Sequence, residues 1–186
     1  MEVVLGKGIF LVATPGLRDP NFRQTVILLC EHGPEGALGV VVNRPTEISI
    51  TEVLPKIPVL EGQAHVVYSG GPVQRNHLLI VYCAMEEPED THHVFDGVYV
   101  GGNTLALEQI LKAPTPTDQF KAFIGYSGWA PGQLENEMET GSWVMVPADT
   151  VSMFEGEQTR LWANILRSLD PSYDMYADMP LDPNLN

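Results

Sequence analysis

The apolar positions in the first half of the chain fall in short unbroken runs, not at helical spacing. "GIFLVA" (8–13), "RQTVILLCEH" (23–32) and "LGVVVN" (38–43) are rich in β-branched residues and bounded by Gly/Pro clusters, which predicts strands. The glycine-bearing "GPEGA" between the second and third favours an antiparallel hairpin with a five-residue connection. "HVVYSGG" and "HLLIVYC" predict two more strands around the turn "GGPVQRN". "VYVGG", "QFKAFIGYSGW" and "SWVMVP" predict three further ones.

Helical signals are fewer. "SITE" (49–52) has the capping-box spacing of Ser and Glu and is stopped by Pro55. Asn103 is placed to cap "TLALEQILK", with Leu107, Ile110 and Leu111 on one face. "QTRLWANILRSL" sets Leu161, Trp162, Ile165, Leu166 and Leu169 on one side of an amphipathic helix. Strands outnumber helices and are joined mostly by turns, with no regular βα alternation. The predicted class is therefore α+β, with residues 1–169 as one domain and 170–186 as an acidic, proline-containing, loosely held tail.

Composition adds a sign to this outline. The 186 residues carry 24 acidic and 10 basic side chains, a formal net charge of −14, and 17 of the acids follow Arg75. A field of that sign opposes phosphate backbones and anionic lipid, so direct binding to nucleic acid or to a membrane is not expected. The N-terminus has neither a signal peptide's basic region nor a span-length apolar run, which points to the cytoplasm. Cys30 and Cys83 each end an apolar run and read as small buried hydrophobes, a disulfide between them being left open.

Candidate chemistry is sparse. Ser127 in "GYSGW" lacks the second glycine of a nucleophile elbow, because Trp129 stands there. The five histidines show no zinc-site spacing, and "EEPEDTHH" reads as a solvated loop more readily than as a chelator. No metal or cofactor is expected. Glu135, Glu137 and Glu139 fit a short helix over 133–140, with Leu134 and Met138 sharing its apolar side. The arginines are more distinctive: Arg18, Arg23, Arg44 and Arg75 all lie beside turn motifs. If the strand ends converge, Arg23, Arg44 and Arg75 make an anion pocket with Asn43 as neutral donor and Trp129 and Gln133 as its wall. The opposing disposition pairs these guanidiniums with the acid-rich second half. A further alternative is a hydrolase using Glu135 or His32 as general base.

Three long motifs, "TPGLRDPNFRQTVILLCEHGPEGALGVVVNRPT", "VYSGGPV" and "GYSGWAPGQLENEMETGSW", occur in one order, and with them residues 5–167 closely resemble the AlgH/YqgE family of bacterial proteins. The resemblance implies an α+β domain with a branched β-sheet and no established enzymatic activity. Some members are described as transcriptional regulators, yet no helix-turn-helix with a basic recognition face is visible in this chain. The reading is a non-enzymatic cytoplasmic protein that binds a small anionic ligand or a protein partner, with a regulatory consequence.

Overall fold

A computed structural model describes residues 2–62, 64–112 and 119–181. Among the described residues ten strands form one branched sheet: β1 (Ile9–Ala13), β2 (Val26–Gly33), β3 (Gly36–Val41), β4 (Pro45–Ser49), β5 (Val66–Ser69), β6 (Val73–Cys83), β7 (His92–Phe95), β8 (Val98–Gly101), β9 (Gln119–Trp129) and β10 (Trp143–Pro147). The main path runs β10-β1-β2-β3-β9-β6-β8-β7, and β4 and β5 branch from β9. Every pairing is antiparallel except β5 with β9. The described residues also form six α-helices: α1 (Ile50–Val53), α2 (Thr104–Lys112), α3 (Gln133–Glu139), α4 (Thr150–Phe154), α5 (Leu161–Leu169) and α6 (Asp174–Ala177), the last lying against α5. The fold is thus α+β, with a mainly antiparallel branched sheet.

The unbroken apolar runs exist because the sheet is covered on both faces. Along β1, Phe10 and Val12 enter one core cluster while Ile9, Leu11 and Ala13 enter another. The first cluster lies under α4 and α5 and includes Met153, Leu161, Trp162 and Leu166. The opposite face divides in two. Leu134 of α3 joins Trp129 and Trp143 over the β1–β2 half, while Ile50 of α1 and Leu107 of α2 cover β5, β6 and β9. Strands buried on both faces lose the alternation of a half-solvated sheet. Cys30 sits inside the first cluster, where burial pushes its thiol up to about 12, and it is not joined to Cys83 by a disulfide.

The branch is built on glycine. β9 pairs with β5 through Ala122–Ile124 and with β3 through Ser127–Trp129, so its partner on that side changes at Gly125 and Tyr126. Gly125 has φ +72°, and a Cβ there would stand 2.5 Å from the carbonyl oxygen of Gly71. Gly71 in turn abuts Tyr126, whose carbonyl group its Cβ would meet at 2.3 Å. The "SGG" and "IGY" motifs are one structural device, two backbones crossing at a separation no side chain allows.

Several expectations shift in detail. β2 and β3 run on to the pair Gly33↔Gly36, so their connection is Pro34 and Glu35 alone. β6 begins at Val73, and its register against β9 breaks between Val73 and Leu78, so the "QRN" segment is a bulge and not a turn. The described part of the tail folds back. After a 3-10 turn at Pro171–Tyr173 and α6, the Met179 carbonyl accepts from Gln24 Nε2 at 3.1 Å, and Arg167 of α5 pairs with Asp174 and Asp178. No described helix is long and apolar enough to cross a membrane.

Candidate functional site

The corner after β3 is set by Asn43 and Arg44. Asn43 is buried, and its side chain is committed to backbone: Oδ1 accepts from Val26 N at 2.9 Å and Nδ2 donates to Gln24 O at 2.9 Å. Pro45 disfavours a helical conformation at Arg44, whose carbonyl accepts from Ser69 N at 2.9 Å. Its guanidinium reaches back under the preceding loop and donates to the carbonyls of Asn21 (2.6 Å), Arg23 (3.0 Å) and Pro20 (3.4 Å). Burial, and then the neighbouring Arg23 charge, lower the Arg44 pKa, with Asp19 acting in the opposite direction. Among the described residues none of Arg18, Arg23, Arg44 or Arg75 forms an ion pair.

Two hollows flank this corner. A cleft of about 350 Å³ is lined by Asn43 and Arg44 on one side, Arg160 and Arg167 of the α5 segment on another, and Asp178 of the tail. A shallower hollow of about 300 Å³ beside it is lined by Arg18 and Arg23. Gln24, Met179 and Leu181 line both, so the tail runs along the boundary between them. Five of the six arginines of the chain therefore gather at one end of a molecule of net charge −14. In the sequence, Arg160 and Arg167 lie within an amphipathic segment whose dominant pattern is its apolar face. The signal was there, since seven residues are nearly two helical turns and place both guanidiniums on one side.

The remaining candidates lie elsewhere. Arg75 is exposed on the β6 bulge and lines neither hollow. Trp129 and Gln133 line neither hollow and belong to a polar knot under α3. There Trp129 Nε1 and Trp143 Nε1 both donate to Glu137 Oε2, at 2.9 and 2.8 Å, and Gln133 Nε2 donates to Glu137 Oε1 at 3.0 Å. Phe22 packs against both indoles, with ring centroids 6.3 Å from Trp129 and 5.8 Å from Trp143. This knot links the arginine-bearing loop to the "GYSGWAPGQLENEMETGSW" motif. Ser127 is fully buried and donates to Gly70 O at 3.1 Å, a stitch at the sheet branch.

His32 Nε2 and Glu135 Oε1 do meet, at 2.7 Å. Hydrogen bonds, first from the backbone N–H of Glu135 and then from His32, hold this carboxylate below its ordinary pKa. That makes it a weaker base than a free glutamate. No group of three or more His, Cys, Asp or Glu among the described residues is arranged to hold a metal ion.

Comparison with known proteins agrees with this architecture. The AlgH-like family profile matches residues 10–174. A UPF0301 protein of Chlorobium luteolum is 34% identical over 183 residues, covering 98% of this chain and 95% of that one. A UPF0301 protein of Streptomyces coelicolor is 37% identical over 191 residues, covering 100% and 97%. A crystal structure of a Corynebacterium diphtheriae protein superposes with a TM-score of 0.81 at 23% identity, covering 96% of this chain and 95% of that one, a likeness of fold. The solution structure of the AlgH protein of Pseudomonas aeruginosa superposes with a TM-score of 0.70 at 29% identity, covering 97% and 98%. From end to end of its folded domain, this chain belongs to the AlgH-like family.

Proposed function

We propose that the cleft between the Asn43–Arg44 corner, α5 and the tail binds a compact anion carrying two or more negative charges, such as a phosphorylated or polycarboxylate metabolite. The observation that carries this reading is the convergence of Arg44, Arg160 and Arg167 on one concavity of an otherwise acidic protein. Planar guanidiniums suit such anions through paired N–H donors. Asp178, held by Arg167 at the cleft wall, acts as an internal counter-ion that the ligand displaces. Arg44 fixes the 20–23 loop, and the cleft's exchangeable charge comes from Arg167 and from Arg160, whose pair with Glu157 at 3.3 Å is solvent-exposed and therefore weak. A cytoplasmic setting and a regulatory consequence fit a binder of such metabolites. The hydrolase alternative has the His32–Glu135 contact in its favour, but the depressed Glu135 pKa works against a general-base role.

Titration with inorganic pyrophosphate, followed by NMR shift changes and calorimetry at low salt, tests the reading. R160A and R167A are each expected to weaken binding roughly tenfold, the scale of one charge-assisted hydrogen bond at about 1.4 kcal/mol. Arg44→Ala is a poorer probe because it releases three carbonyls of the loop. Pyrophosphate binding of equal strength in the R160A/R167A double variant, or none in the wild type, would sink the assignment.

A further inference from the structure

A second concavity holds a cation of a different kind. Lys121, in the middle of β9, is only 6% exposed, and among the described residues no carboxylate forms an ion pair with it. Its Nζ donates to the Met153 carbonyl of α4 at 2.5 Å and lies 4.5 Å from the centroid of the Tyr68 ring. An ammonium has three N–H donors, and one carbonyl and one ring face leave it short of the hydration it gave up. Burial accordingly lowers its pKa from 10.5 to about 7.

Lys121 lines a cleft of about 460 Å³ that wraps the sheet edge, where β5 starts to pair at Val67↔Ala122 and the Gln119–Lys121 end of β9 lies beyond that start. Tyr68 and Phe154 stand on the amine's side of the sheet, and Phe120, Ile110 and Leu111 on the other. Val66, Ile110, Leu111, Phe120 and Phe154 give the cleft apolar walls. His65, with its ring 4.6 Å from that of Phe120, stands at the rim. One desolvated amine within apolar walls suits a single negative charge on a greasy body. A multiply charged anion would leave its other charges unpaired.

We infer that this cleft binds a monocarboxylate with an apolar chain, its carboxylate on Lys121 Nζ and its hydrocarbon running from Phe154 around the edge of β9 to Phe120 and Leu111. Binding is then linked to protonation. The carboxylate favours the charged amine, which is already present below about pH 7 and must be recruited by proton uptake above it. Affinity is flat just below that pH and falls as pH rises beyond it, approaching tenfold per unit. Other ionisable groups on the elements packed around Lys121 are His65 and Tyr68, Arg75, His77, Tyr82 and Cys83 of the paired strand β6, Glu108 and Lys112 of α2, and Asp149 and Glu155 at the two ends of α4. Lys121→Met leaves all of them in place, so the difference between variant and wild type isolates the amine.

The probe is octanoate, with 1-octanol and octylamine as neutral and cationic counterparts, followed by NMR shift changes and calorimetry across pH 6 to 9. Octanoate is expected to shift signals around Lys121 and to bind at least about tenfold more tightly than octanol at pH 6.5. K121M should lose that preference and the pH dependence while still taking octanol, which shows the cleft intact. The R160A/R167A variant should leave octanoate binding unchanged, separating this site from the arginine cleft. Equal binding of octanoate and octanol overturns the inference. So do a preference surviving in K121M, shifts confined to the arginine cleft, and absence of octanoate binding.

Discussion

One carboxylate oxygen organises the longest motif of the chain. Glu137 Oε2 accepts from both Trp129 and Trp143, whose rings are almost wholly buried. Of the three glutamates the sequence offers in this stretch, the helical register turns only Glu137 towards the two indoles. Glu135 goes to His32 instead. Charge-assisted acceptance by a half-buried carboxylate is stronger than a neutral hydrogen bond. Glu137→Ala leaves two indole N–H groups unmatched and is expected to cost on the order of 2 to 4 kcal/mol in urea unfolding followed by tryptophan fluorescence. Glu137→Gln, which presents an amide to the same donors, should fall between it and the wild type. A change under about 0.5 kcal/mol for the alanine variant, the range of ordinary surface substitutions, would show the knot to be incidental.

At the level of elements, the sheet branch concentrates the fold's least replaceable backbone. Gly125→Ala forces a left-handed residue and brings a methyl to 2.5 Å from the Gly71 carbonyl. The conformation alone costs about 1 to 2 kcal/mol, and the clash adds to it. The expected loss is therefore at least about 2 kcal/mol by denaturant titration, and hydrogen exchange should quicken in β5 before β1 if the branch opens first. The same elements explain what was legible in the chain. Strands with two covered faces, such as β1, β2 and β9, announce themselves as apolar runs. β4 and β7, with the polar sequences "PTEIS" and "HHVF", are strands only because β5 and β8 lie beside them, and no local pattern carries that. α4 has no legible pattern although Asp149 caps it through Ser152 N at 2.8 Å, because five residues are too few for a periodic face. For the site, Arg44 was visible through the Pro45 that follows it, whereas its convergence with Arg160 and Arg167 depends on α5 docking across β1, where Trp162 Nε1 donates to Ala13 O at 2.8 Å.

Across the whole molecule, charge is segregated in a way that bears on the arginine cleft. The described part of the acidic tail is held in place: Asp174 and Asp178 pair with Arg167, and Met179 and Leu181 border both hollows. In a chain of net charge −14, a basic concavity left open draws counter-ions, and a tethered carboxylate is present at high local concentration. The tail is then a competitor as well as a wall. Because Asp178 and Arg167 are both solvent-accessible, their pair is worth only a few tenths of a kcal/mol up to about 1, so the competition is soft. Asp178→Asn should raise pyrophosphate affinity about two- to fivefold at low salt. The gain should shrink as ionic strength approaches physiological values, where the Debye length is about 8 Å. Removal of everything after Ala177 should do the same or slightly more, unless Met179 and Leu181 contribute to the ligand's seat, in which case the truncation binds less tightly than D178N. Calorimetry on the two variants at two salt concentrations distinguishes these outcomes, and an affinity that D178N leaves unchanged would mean that the tail carboxylate does not occupy the position the anion takes.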